Sequence, residues 1–142
     1  MRAAIALAGV LALASPAVSA PRPGPIVVRD ATIRPAAPGQ PMTAAYMTLV
    51  SGADRPLRLT AVRCACAGSV TVHESTLTDG VMRMRPVDSV VVPPHGSVRF
   101  QPGGLHLMVM DLKRPIKPGD ATPMQLSFDH APTLAVRFKA GG

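Results

Sequence analysis

Residues 70–85 read VTVHESTLTDGVMRMR, and the fold is read from how they alternate. Val70 and Val72 fall on one side of an extended chain, Thr71 and His73 on the other. That period of two marks a strand over Val70–Glu74 with one buried face and His73 near its end. Asp79-Gly80 supplies two residues that tolerate positive φ, which a two-residue hairpin turn demands. Val81 to Arg85 is then the returning arm. The pattern spreads outward in both directions. Ile26–Arg34, Met42–Val50, Pro56–Val62, Val90–Val92, Ser97–Gln101, Leu105–Leu112, Met124–Asp129 and Thr133–Lys139 are further short apolar runs. Pro- and Gly-bearing turns separate them roughly every ten residues, as in all-β domains. No window after the first twenty residues keeps a helical period. The expected fold is all-β, a Greek-key β-sandwich.

With no Trp, one Tyr and three Phe, burial must come mainly from Val, Leu, Ile, Ala and Met. A chain of 142 residues is long enough for one such core without staples. Residues 1–20, MRAAIALAGVLALASPAVSA, have the form of a secretory signal: Arg2, an apolar run, then small residues. The run is too short for an ordinary membrane span. Cleavage is expected after Ala20 or near Ser15–Ala17, leaving residues 21–142 as a single exported, periplasmic domain. No lipobox-like cysteine lies near the signal, so no stable membrane anchor is expected. The formal charge is +7 and falls by one unit with Arg2. The basic residues are scattered apart from Lys113–Lys117, and an exported protein rarely meets nucleic acid, so a nucleic-acid partner is not expected.

Three of the four histidines and four of the eight methionines lie between His73 and Met110. On a strand from Leu105 to Leu112, His106, Met108 and Met110 share one face, and Leu105, Leu107 and Val109 the other. Met82 and Met84 share a face of the hairpin arm, and the turn brings His73 near them. Imidazole and thioether are borderline-to-soft donors, and no carboxylate cluster favours a hard cation. Spacing alone leaves two readings open: a copper site, or methionines packing a core beside surface histidines. Cys64 and Cys66 form the only cysteine pair. In a strand they would share a face, as a strained and reducible disulfide, as two free thiols, or as two buried small residues without a role.

The chain resembles the PCu(A)C-type periplasmic copper chaperones. Their signature is a His, ten residues, a Met, twenty-one residues, then His-x-Met. Ten residues separate His73 from Met84, twenty-one separate Met84 from His106, and Met108 follows after one more. DGVMRMRPV, PGGLHLMVMDLKRPIKPGD, DATIRP and AAYMTL are similar to the family as well, so the resemblance covers Val27 to Lys139. It implies a cupredoxin-like sandwich that binds Cu(I) through His73, Met84, His106 and Met108. It also implies a non-enzymatic role passing copper toward cytochrome oxidase, with transient contact to an oxidase subunit or another copper chaperone. The chain departs from the family in three places. Glu74-Ser75 stands where members often carry a further Met, the Cys-Ala-Cys lies outside the signature, and the C-terminus lacks a His/Met-rich tail. His95 and His130 are therefore expected at the surface, and Met82 and Met110 as apolar wall. A blue-copper carrier would need a Cys ligand near the C-terminal His and Met, and there is none. Two other functions compete: a thiol-disulfide oxidoreductase using Cys64 and Cys66, and a copper store or interaction domain without transfer.

Overall fold

The structure is a computed structural model and describes Ser15 and residues 25–141. The expected signal therefore lies, apart from Ser15, outside the described residues. Ten strands follow in order: β1 (Ile26–Ile33), β2 (Met42–Ser51), β3 (Leu57–Arg63), β4 (Ala67–Thr78), β5 (Val81–Val87), β6 (Val90–Val92), β7 (Ser97–Arg99), β8 (Leu105–Leu112), β9 (Ala121–Phe128) and β10 (Ala131–Ala140). The described residues contain no helix. β6 and β8 have the bounds the sequence predicts. β4 is much longer than Val70–Glu74, because both of its edges are paired and hold polar residues in the ladder.

The strands form one sheet ordered β5-β4-β8-β2-β1-β10-β9-β3-β6, with β7 alongside β2. A further pairing of β3 with β4 closes seven of them on themselves. Those seven strands form a closed, barrel-like sheet that covers their own edges, while β5 and β6 stay outside the closure as edge strands. The meeting point is slight: Val62 opposite Val70 is the one register pair between β3 and β4. β1 serves two neighbours. It runs antiparallel to β2, shifts register at a bulge around Asp30, and pairs in parallel with β10 at Thr32 and Ile33.

Inward positions alternate as the period of two requires. On β2, Thr43, Ala45, Met47, Leu49 and Ser51 are buried and the residues between them are not. Leu59, Leu107, Val109, Leu126 and Phe138 fill the centre and are fully enclosed or nearly so. Each such side chain contributes roughly 1.5–3 kcal/mol of transfer free energy. All three phenylalanines are buried there too, so the scarce aromatic residues are spent on the core.

The cysteines correct one expectation. Cys64 and Cys66 lie on the turn between β3 and β4 rather than in a strand, because β3 ends at Arg63 and β4 begins at Ala67. They are joined by a disulfide, with Cys66 buried and Cys64 half-buried.

Candidate metal centre

Three adjacent strands, β5-β4-β8, carry the predicted ligands, and β2 flanks β8 on its other side. Register decides who meets whom. His73 on β4 stands directly opposite His106 on β8. Met84 on β5 stands opposite Ser75 of β4, two residues beyond His73. Met108 stands between Thr71 of β4 and Ala44 of β2. Directly opposed residues point to the same side of a sheet, and residues two apart do so as well. All four predicted ligands therefore stand on the outer face, while Val70, Val72, Leu107 and Val109 on the same strands face inward.

The hairpin turn fixes half of this register. Asp79 and Gly80 both have positive φ, 51° and 75°, the signature of a type I′ turn, so Thr78 pairs with Val81 and Met84 with Ser75. The other half is fixed by the turn before β8. Gln101-Pro102-Gly103-Gly104 turns tightly, with Gly104 N–H donating to Gln101 O at 3.0 Å. Gly103 has φ 81°, which a type II turn needs at its third position and which glycine alone adopts without strain. The turn aims the Gly104 carbonyl at two donors, the Ser75 N–H at 3.1 Å and the His106 Nδ1–H at 3.0 Å.

That second contact sets the chemistry of His106. A carbonyl can only accept, so Nδ1 carries the proton and Nε2 presents a lone pair. His106 is 5% exposed, and its Nε2 is buried with no hydrogen-bond partner. Buried polar atoms without partners are rare and need a reason. An ion completing the site is such a reason.

His73 supplies the opposite side. Its ring centre is 6.0 Å from that of His106, edge to face. An imidazole nitrogen holds a metal at roughly 2 Å, placing the ion about 3 Å from the ring centre, so two rings sharing an ion can sit about 6 Å apart. The Thr71 hydroxyl lies 3.3 Å from His73 Nε2 and steadies the ring. Burial, and secondarily the charge His106 could carry, hold the His73 pKa below its ordinary value, which keeps this imidazole neutral and able to bind metal.

The structure brings the two histidines together and flanks them with the two methionines. Met108 is half-buried, one row to one side. Met84 is one row to the other side on the outermost strand and is 62% exposed. Among the described residues, no three of His, Cys, Asp and Glu gather into a possible metal site, so hard donors do not compete. His95 and His130 are exposed at turns, as expected. His95 pairs with Asp54, and the His130 carbonyl accepts from Arg55. The sequence reading missed the Gly104 carbonyl and Thr71 as groups that orient the imidazoles. Pro102-Gly103-Gly104 immediately before Leu105-His106 was the available signal for the first.

Comparison with known proteins agrees with this architecture. A copper-bound PCuAC domain from PmoF2 superposes with TM-score 0.72 at 28% identity, covering 84% of this chain and 94% of that one. The Cu(I) form of DR1885 from Deinococcus radiodurans superposes with TM-score 0.60 at 31% identity, covering 80% of this chain and 76% of that one. The fold defines a domain of PCuAC type. Residues 26–140 match the family profile described as "Putative lipoprotein LpqE-like", and the chain belongs to that family. Among curated proteins it is 30% identical over 101 residues to "Putative lipoprotein Lxx21020" of Leifsonia xyli subsp. xyli, covering 70% of this chain and 61% of that protein. It is 27% identical over 98 residues to the uncharacterized RP573 of Rickettsia prowazekii, covering 68% of this chain and 54% of that protein. The matched region thus spans little more than half the length of these two relatives.

Proposed function

We propose that this protein binds one Cu(I) through His73, Met84, His106 and Met108 and passes it to another copper protein, catalysing no reaction. The observation that carries the reading is the bare, buried Nε2 of His106, on a ring whose centre lies 6.0 Å from that of His73. Two neutral imidazoles and two thioethers bring no charge to the ion and are soft enough to prefer Cu(I). The copper-bound state of the similar PmoF2 and DR1885 domains supports the same cargo here. Met84 makes release easy: it projects from the sheet edge, where an acceptor's ligand can replace it while His106 still holds the ion. We read the acceptor as a cytochrome oxidase subunit or another copper chaperone, met in the periplasm after export. The cupredoxin-like, Greek-key reading of the chain's path is supported by the same neighbours. No helix among the described residues is long and apolar enough to cross a membrane.

Anaerobic Cu(I) titration against a competing chelator tests the binding. His106→Ala and Met108→Ala should each weaken it at least tenfold, since even groups behind the ligands contribute that much. Equal affinities in wild type and both variants overturn the proposal. Transfer of Cu(I) to an oxidase copper-site domain then separates a chaperone from a store. Cys64→Ser/Cys66→Ser should leave copper affinity unchanged; loss of delivery with copper binding intact would favour thiol–disulfide chemistry at that pair.

A further inference from the structure

The outer face that carries the four ligands does not end at Met108. Two residues on, Met110 stands on the same side of β8, and directly opposite it on β2 is Met42. On its other flank Met110 faces Ser69 of β4, just as Met108 faces Thr71. Three thioether side chains, Met42, Met108 and Met110, therefore share one patch. The positions around them, Ala44, Ser69 and Thr71, are occupied by small residues that leave the methionines uncovered.

Methionine is a common core filler, and two of this chain's methionines behave so: Met47 and Met124 are enclosed by the core. The three in the patch do not. Met42 is 44% exposed, and Met108 and Met110 are half-buried on the side of the sheet away from the core. Directly opposed residues in an antiparallel pair have Cα atoms roughly 4.5–5.5 Å apart, close enough for two flexible thioethers to converge on one ion. With Met108 one row away, a third sulfur is within reach. Arg34 and Gln40, neither of them anionic, border the hollow beside Met108.

We infer that Met42, Met110 and Met108 form a second, all-thioether position for a soft monovalent cation, Cu(I) or Ag(I), with the Met42–Met110 pair two rows of the sheet from the histidine pair and Met108 in the row between. Uncharged thioethers hold such an ion and discriminate against harder cations. The position lacks imidazole, so it binds more weakly than the first and without competition from protons. Met108 borders both positions and can remain on the ion while Met42 and Met110 exchange for His106 and His73. The binding stands on its own; its use as an entry point rests on the copper reading above.

Ag(I), which is not oxidised by air, is titrated into the protein labelled at its methionine methyls, with the imidazole signals followed alongside. The first equivalent should move Met84, Met108 and both histidine rings, and the second should move Met42 and Met110. In His73→Ala/His106→Ala, Met42, Met108 and Met110 should respond to the first equivalent. Met42→Leu/Met110→Leu, which nearly conserves volume, should keep the first step and weaken the second at least tenfold. If Met42 and Met110 stay unmoved through three equivalents while the histidine rings respond, the second position is overturned and the first stands. If Met42 and Met110 move but the rings never do, the second position stands and the four-ligand site falls.

Discussion

His106 is held in one tautomer by one carbonyl, and that single contact leaves its buried Nε2 free for the proposed copper ion. His73 is held more loosely, by the Thr71 hydroxyl. Thr71→Val keeps the shape and removes that contact, so Cu(I) affinity should fall about tenfold in chelator competition with the fold unchanged. Proton competition follows from the His73 environment. Its lowered pKa means that protonation begins to displace Cu(I) only below the ordinary imidazole value of about 6.5. The His73 contribution to affinity, read in a comparison of wild type with His73→Ala, should therefore be level above that pH and decline below it. The same shift acts on the metal-free protein. Between about 6.5 and the folded-state pKa the unfolded chain binds the extra proton, so stability falls as pH drops through that window and levels beneath it. Urea midpoints from pH 8 to pH 5 check the sign. The spacing of His73, Met84, His106 and Met108 was legible in the sequence, because strand period and a fixed signature converge on it. The tautomer was not legible, since a Pro-Gly-Gly turn before a strand does not reveal where its carbonyl points.

At the scale of elements, the β4–β5 hairpin and the turn before β8 do most of the positioning. The type I′ turn at Asp79-Gly80 sets which residue of β5 faces Ser75. Gly80→Ala forces a side chain onto a backbone with φ 75° and should destabilise the protein by about 1 kcal/mol in a denaturant titration. Because Met84 lies four residues further along that arm, Cu(I) affinity should fall as well. If affinity is unchanged, the turn does not control the ligand. The hairpin itself was legible from Asp79-Gly80 between alternating runs. The length of β4 was not. Ser69, Ser75, Thr76 and Thr78 read as loop residues, yet pairing with β5 and β8 keeps them in the ladder. His73 consequently stands inside a long strand rather than at its end. Pairing on both sides is a property of the neighbours, which no local pattern encodes.

Across the whole molecule, alternation identified an all-β chain, and the face of β8 with Leu107 and Val109 that it separated from His106 is the inward one. Closure was beyond it. The parallel contact of β1 with β10 joins Thr32 to Lys139, and the contact of β3 with β4 is one register pair; neither leaves a local mark. The second contact has a dynamic consequence. A seam with one register pair has few hydrogen bonds to break, so it should open before the rest of the sheet does. Only the turn carrying the Cys64–Cys66 disulfide bounds it at one end. Amides of β4 that point toward β3 should exchange with solvent faster than those pointing toward β8, and reduction of the disulfide should widen the gap, measured by hydrogen–deuterium exchange. The start of β4, up to Val70, would then be anchored firmly by β8 and only lightly by β3, while the stretch that carries His73 stays held between β8 and β5, like a flap that lifts below a fixed hinge.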